Sequence, residues 1–182
     1  MKTSLVIGLF ISVCFLQIIA PLSMIAKREA VLKHGAQCKF KVAPVDPYDA
    51  FRGRYVALRF EEDYVKGVKQ TGLGYGQEVY ALINIDNQGF ARFSGLAITH
   101  PAGGLYIKAR LRYVSEEKAY LDLPFDRYYL EEKSAPLAEE LYRQHTQAGK
   151  LDAYVIIRVQ NGFAVIEGLY LADKRIEDLI RK

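Results

Sequence analysis

The sequence is poor in the residue types that build disulfides, metal sites and nucleic-acid surfaces. Its two cysteines are Cys14, inside an apolar run, and Cys38, so no disulfide can form within the part that folds in water. The three histidines, His34, His100 and His145, have no metal-ligand spacing, and we expect no metal or other cofactor. A net charge of +4, from 25 Lys and Arg against 21 Asp and Glu residues, is too small to indicate a nucleic-acid partner.

The serines lack the context of a catalytic nucleophile. None of Ser94, Ser115 and Ser134 lies in a Gly-x-Ser-x-Gly sequence, and Ser134 is placed to cap a helix. The sequence therefore identifies no reaction, and we favour a protein that is not an enzyme.

Pairs of carboxylates are the remaining enzymatic option. Asp46 and Asp49 share one proline-containing loop, and Asp122 and Asp126 occupy the matching region of the second half of the chain. Such a pair could act as acid and base in a cell-envelope hydrolase. Aspartates in proline-containing loops more commonly shape the turn, so hydrolysis is kept as the alternative function.

A long uncharged segment opens the chain. Residues 3–26 carry no charged side chain and, as a helix rising about 1.5 Å per residue, would span the roughly 30 Å of a bilayer core. Pro21 directly follows Ile18-Ile19-Ala20, which makes a poor cleavage site, so we predict an uncleaved anchor. With its juxtamembrane continuation, this anchor is predicted over residues 1–34 and ends before Gly35.

Two signals disagree about the orientation of this anchor. Lys2 alone precedes the apolar segment, whereas five basic residues follow it closely: Lys27, Arg28, Lys33, Lys39 and Lys41. Positive-inside counting therefore places the following domain in the cytoplasm. The short basic start followed by an apolar run is instead typical of a signal anchor with an exported domain.

An internal repeat dominates residues 35–182. Gly89-Phe90-Ala91 and Gly162-Phe163-Ala164 each follow a strand pattern and each lead into a Gly-Leu return strand. We predict a mainly β, barrel- or sandwich-like domain of two duplicated β units, about 37–100 and 104–172. One helix is expected near 134–148, and a short C-terminal helix from about Asp173.

One stretch, residues 42–60, resembles the signature of the GDYXXLXY family of uncharacterised bacterial membrane-anchored proteins, and the resemblance extends over nearly the whole chain. Its motif residues here are Asp46, Asp49, Arg52, Gly53, Arg54, Tyr55, Leu58 and Phe60. The resemblance implies a single-pass bacterial inner-membrane protein with a periplasmic domain. It also implies a multi-pass inner-membrane protein as partner.

The chain departs from that signature at two positions. Arg54 stands where the signature has Asp, and Phe60 stands where it has Tyr. The change at Arg54 would remove any metal ligand or general base at this position. The alternation of Val56, Leu58 and Phe60 instead predicts a strand from Gly53 to Glu61 with these three side chains on its buried face.

A basic strand provides the candidate binding residues. Along residues 105–114, Lys108, Arg110 and Arg112 alternate with an apolar face consisting of Ile107, Ala109, Leu111 and Tyr113. Together with the 13 tyrosines, this strand could form a surface that binds an anionic ligand or a glycan. It could equally be an ordinary solvent-exposed sheet face. The sequence thus predicts a membrane-anchored, non-catalytic accessory or binding module.

Overall fold

The computed structural model describes residues 2–43, 55–68, 72–131, 133–146 and 152–181. Within these ranges the chain is mainly β, with three helices: α1 (Lys2–His34), α2 (Ala135–Thr146) and α3 (Ile176–Ile180). The strands are β1 (Ala36–Ala43), β2 (Tyr55–Ala57), β3 (Arg59–Phe60), β4 (Tyr64–Lys66), β5 (Glu78–Ile85), β6 (Ala91–Ala97), β7 (Tyr106–Ser115), β8 (Lys118–Asp122), β9 (Arg127–Tyr129), β10 (Ala153–Gln160), β11 (Phe163–Leu171) and β12 (Lys174–Arg175).

The strands form a sandwich-like domain, which agrees with the predicted fold class. One five-stranded sheet has the order β12-β11-β10-β1-β3, and another has the order β4-β8-β7-β5-β6. A two-stranded sheet joins β2 to β9. Four phenylalanines pack edge-on or tilted in the core, with ring centroids 5.3 to 6.0 Å apart: Phe40, Phe60, Phe93 and Phe125.

Two hairpins have the same irregularity. The β5–β6 hairpin pairs Leu82 with Gly95 and then shifts register, and the β10–β11 hairpin pairs Ile156 with Gly168 and then shifts register. Each of these β-bulges bends its hairpin at the same distance from the turn. The turn of each hairpin then reaches the opposite five-stranded sheet.

Two isolated bridges make these contacts between the sheets. Phe90, at the turn of β5–β6, pairs with Lys39 of β1, and Gly162, at the turn of β10–β11, pairs with Ile107 of β7. The two sheets are therefore connected reciprocally, each by the hairpin turn of the other.

Beyond its apolar segment, the C-terminal end of helix α1 packs against β10 and β11. In the described part of the chain, α1 is the helix long and apolar enough to cross a membrane, with a mean hydropathy of 2.5 over its most apolar window. From Leu5 to Ala30 its side chains are exposed except for the half-buried Cys14, and Val31 is the first buried one, at 3% exposure. Gly35 ends the helix by donating its N–H to the Val31 carbonyl oxygen at 2.8 Å. A Cβ atom at Gly35 would lie 2.5 Å from that oxygen, so the junction is tightly packed.

The strand predicted through the signature is interrupted. Its described part divides at Leu58, whose N–H donates to the Asp126 carbonyl oxygen at 2.8 Å. Strand β2 pairs with β9, whereas β3 pairs with β1. The segment therefore passes from the small sheet to a large one, which an alternation pattern cannot indicate.

The C-terminal helix is shorter than expected. Ala172 and Asp173 have positive φ angles of 46° and 62°, which form a two-residue hairpin turn. Lys174 and Arg175 consequently pair with β11, and α3 begins at Ile176 rather than near Asp173.

Candidate functional site

A groove of about 520 Å³ lies where α1 meets the sandwich, and we call it the α1 groove. Its volume is within the range of small-molecule sites. Three cationic side chains line it, and the described lining residues include no acidic one. The lining consists of Lys27, Arg28, Tyr80, His100, Lys108, Pro124, Asn161, Gly162, Phe163 and Ala164.

The hairpin turn that forms one wall is held by close backbone contact. The Lys108 N–H donates to the Gly162 carbonyl oxygen at 2.9 Å. Gly162 has a φ of +77°, and a Cβ atom there would lie 2.8 Å from Cε2 of Tyr106. Glycine is therefore required at this turn by both conformation and space. Asn161 also has a positive φ, which a two-residue hairpin turn of this kind requires.

A cation and an aromatic ring connect that turn to α1. The Lys27 Nζ lies 4.4 Å from the centre of the Phe163 ring, within the range of a cation–π interaction. Lys27 directly follows the uncharged residues 3–26. The hairpin turn is thus fixed at the level where the apolar part of α1 ends.

Next to that turn lies an aromatic cluster around His100. The Tyr106 hydroxyl and His100 Nε2 are hydrogen-bonded at 2.9 Å, the direction depending on the imidazole tautomer. The rings of Tyr80 and Tyr106 lie 5.5 and 5.4 Å from the imidazole, edge-on in both cases. These contacts position the imidazole of His100 and the phenol ring of Tyr80 beside the cations of the groove.

The basic strand adds Lys108 to the groove. Lys108, Arg110 and Arg112 of β7 point away from the buried Ile107, Ala109 and Leu111. The Lys108 Nζ lies 2.8 Å from Oε2 of Glu78, and this hydrogen bond raises the pKa of Lys108. Both side chains are 53% exposed, so the pair stabilises the fold little.

The other two basic residues differ from Lys108. The Arg112 Nε lies 2.7 Å from Oδ1 of Asp122, and its Nη1 lies 3.4 Å from Oδ2 of Asp63. The hydrogen bond to Asp122 raises the pKa of Arg112. Arg110 has no acidic side chain within 4 Å among the described residues. The predicted basic face is thus partly neutralised by acids from β5, β8 and the loop before β4.

The predicted position of Tyr113 on the apolar face of β7 is wrong. A register shift between Leu111 and Tyr113 takes Arg112 out of the ladder and turns Tyr113 outward, where it is 49% exposed. Tyr113 stacks on Tyr120 with ring centres 4.5 Å apart. A β-bulge of this kind changes the side-chain face by one residue without a signal in the alternation.

The family model described as GDYXXLXY protein matches residues 17–169. The chain belongs to the GDYXXLXY family. Comparison with curated proteins and with solved structures finds no match. The matched range contains every residue that lines the α1 groove, so the groove is built within the GDYXXLXY region.

The described signature residues of this GDYXXLXY protein pack against other side chains of the domain. Leu58 and Phe60 are buried, at 7% and 6% exposure, and Phe60 packs on Phe125. Tyr55 lies beside Tyr129, with ring centres 5.6 Å apart. Five other predicted motif residues lie outside the described residues: Asp46, Asp49, Arg52, Gly53 and Arg54.

Two predicted carboxylates of this GDYXXLXY protein, Asp122 and Asp126, each lie near an arginine. Asp122 pairs with Arg112, and Asp126 lies 3.8 Å from Nε of Arg127. His145 Nδ1 lies 2.8 Å from Oδ1 of Asp152 and connects α2 to the start of β10. Within the described ranges no three His, Cys, Asp or Glu side chains are grouped to hold a metal ion.

Sequence reasoning missed the groove because its parts are distant in sequence. In the sequence Lys27 is one of several basic residues after the apolar segment, and no local pattern gives Tyr80 or His100 a binding role. The sequence carries one signal, because the Asn161-Gly162 pair is followed directly by an aromatic residue, Phe163. The strand to which that turn binds could not be predicted from a local pattern.

Proposed function

We propose that this GDYXXLXY protein is a non-catalytic module anchored in the bacterial inner membrane by α1, with its β domain in the periplasm. In this proposal it serves as an accessory or binding subunit for a multi-pass inner-membrane protein or for an anionic envelope ligand. The observation that carries the proposal is the packing of the end of α1 against the β10–β11 hairpin. This packing fixes a cationic groove next to the apolar segment.

The anchor is supported by the exposure of α1. Large apolar side chains from Leu5 to Ile25 are exposed along the helix, including Phe10 at 68% and Leu16 at 68%. A soluble helix would bury such a surface against its own domain, and a bilayer would cover it. The side chains are buried only from Val31 onward, where the helix reaches the sandwich.

The periplasmic orientation rests on the signal-like start and on the family resemblance. The basic residues after the apolar segment argue against it by positive-inside counting. Two of them, Lys27 and Arg28, line the α1 groove. A role in ligand binding would explain why these two basic residues follow the apolar segment, even though the domain is exported.

We also infer that the two halves of the domain are duplicated β units. The two hairpins have bulges at corresponding positions, after Leu82 and after Ile156. Their turns also contact the opposite sheets in a reciprocal way. These features support an origin of both halves from one β unit, although each large sheet contains strands of both halves.

The test is site-specific photo-cross-linking in intact cells. A benzoylphenylalanine residue replaces Phe163 in the groove or, as a matched control, Tyr113, which is 49% exposed on the outer part of β7. The proposal predicts a discrete adduct from position 163, lost when Lys108→Glu is added, and no such adduct from position 113. Equal adducts from both positions, or none from position 163, would exclude the groove as the binding surface.

The hydrolase alternative is not favoured by the described carboxylates, because Asp122 and Asp126 both contact arginines. Asp46 and Asp49 lie outside the described residues. The double change Asp46→Asn with Asp49→Asn is expected to restore a deletion strain as well as the wild-type protein does. Loss of complementation by a folded double variant would instead favour hydrolysis.

A further inference from the structure

We propose that the α1 groove binds the phosphate group of an anionic phospholipid in the leaflet where the apolar part of α1 ends. The inference rests on the proposed function, because it requires α1 to cross the membrane. It specifies the ligand class that the cationic groove takes.

The charge of the groove fits a phosphate. Lys27, Arg28 and Lys108 converge on it, and no acidic residue is present among its described lining residues. Glu78 contacts Lys108 from outside that set. Because both partners are half exposed, a phosphate oxygen can replace the Glu78 carboxylate at little cost.

The position of the groove fits a lipid rather than a free anion. Lys27 and Arg28 are the first charged residues after the uncharged residues 3–26, which places them at headgroup level in a membrane-spanning α1. Phe163 is packed against Lys27 and is therefore at the same level. Exposed aromatic and apolar residues at this level are typical of a bilayer interface.

The surroundings supply both apolar and polar contacts. The apolar lining includes Phe163, which is 37% exposed, and Pro124 and Ala164. Asn161 and Tyr80 add hydrogen-bonding groups to the lining. An amphiphilic ligand needs this combination, since its phosphate and glycerol are polar and its chains are apolar.

A second groove extends the site around α1. It has a volume of about 330 Å³ and shares Arg28, Pro124 and Ala164 with the α1 groove. It adds Arg127 and also Asp126, whose Oδ1 lies 3.8 Å from Nε of Arg127. Both grooves reach α1 at Arg28, just beyond its apolar segment. This position suits a lipid headgroup lying against the helix.

Native mass spectrometry of the full chain in detergent tests the inference. The probes are phosphatidylglycerol and phosphatidylcholine at equal mole fraction, and the readout is the ratio of their adducts. We expect the wild-type chain to prefer phosphatidylglycerol. The double variant Lys27→Gln with Lys108→Gln should weaken that preference by about 25-fold, or about fivefold per cation.

The matched control removes two other cations that also lie beside an aromatic ring. Lys66 and Lys118 have their Nζ atoms 5.8 and 5.3 Å from the Tyr64 ring. The double variant Lys66→Gln with Lys118→Gln has the same change in net charge and should keep the wild-type preference. Circular dichroism of all variants checks that each one is folded.

Three outcomes would overturn the inference. One is an equal affinity for the two lipids, and another is an equal loss in the groove and control variants. The third is displacement of phosphatidylglycerol by millimolar inorganic phosphate, which would identify a free anion as the ligand. A cross-link from position 163 to a protein, without lipid preference, would leave the proposed function intact while this inference fails.

Discussion

At the residue scale, two glycines at equivalent hairpin turns have different surroundings. Gly89 and Gly162 have φ angles of +81° and +77°, a region where an L side chain costs about 1–2 kcal/mol. A Cβ atom at Gly89 would meet only Cδ of Lys39, at 4.0 Å. A Cβ atom at Gly162 would lie 2.8 Å from the Tyr106 ring.

Gly162→Ala should therefore destabilise the protein more than Gly89→Ala does. The expected difference is about 1–3 kcal/mol, the usual cost of overpacking a filled site. The measurement is the urea midpoint of both variants in the same detergent. Equal midpoints would mean that the turn at Gly162 can move away from Tyr106 freely.

Burial of two ionisable groups predicts loss of stability at alkaline pH. Burial raises the pKa of the Cys38 thiol to about 11. Burial, followed by the hydrogen bond to Glu177, raises the pKa of Tyr128 to about 12. Since both pKa values are higher in the folded state, their neutral forms stabilise it fully below the unfolded pKa values. That stabilisation is lost as the pH rises toward 11 and 12.

Between pH 9 and 11, ionisation of Cys38 should lower the free energy of unfolding by up to about 1.4 kcal/mol per pH unit. Denaturant titrations at pH 7.5, 9 and 10.5 measure this slope. Cys38→Ala should flatten it in this range. An unchanged slope in that variant would assign the alkaline loss to other groups.

At the scale of elements, the junction between α1 and the sandwich is the part most sensitive to small changes. A Cβ atom at Gly35 would lie 2.5 Å from the Val31 carbonyl oxygen and 3.1 Å from Cβ of Arg158. Gly35→Ala should therefore displace the end of α1 from β10. Gly8 in the same helix has no heavy atom within 4 Å of its Cβ position.

Hydrogen exchange followed by mass spectrometry measures that displacement. Amides at residues 30–35 should exchange at least about tenfold faster in Gly35→Ala than in the wild-type chain. This ratio corresponds to a decrease of about 1.4 kcal/mol in the free energy of local opening. Gly8→Ala should leave these amides unchanged. The packing described for the junction would be contradicted by equal protection in the two variants.

The sequence predicted the strands well where their burial alternates, and less well where a ladder shifts. The outward positions of Lys108 and Arg110 follow the period of two, but the bulge at Arg112 reverses Tyr113. The division of the signature strand at Leu58 depends on two different partner strands. Such partners are set by tertiary pairing, which local periodicity does not contain.

At the scale of the whole molecule, the mainly β fold and the long N-terminal helix were predictable because both have strong local patterns. The α1 groove was not, since it needs Lys27, Lys108 and Phe163 in one place. Their convergence follows from the docking of a hairpin turn on the opposite sheet. The ion pair between Lys108 and Glu78 likewise depends on the register of β5 against β7.

The side of the membrane on which the domain lies is central to this account. Tyr75 is 85% exposed, so Tyr75→Cys provides a reactive thiol on the domain surface. The wild-type chain is the control, because Cys38 is buried and Cys14 lies in the apolar segment.

The most direct measurement is labelling of Tyr75→Cys with a membrane-impermeant maleimide in spheroplasts and in lysed cells. The account predicts equal labelling of the variant in both samples and none of the wild-type chain in spheroplasts. Labelling of the variant only after lysis would place the domain in the cytoplasm and contradict the proposed periplasmic module.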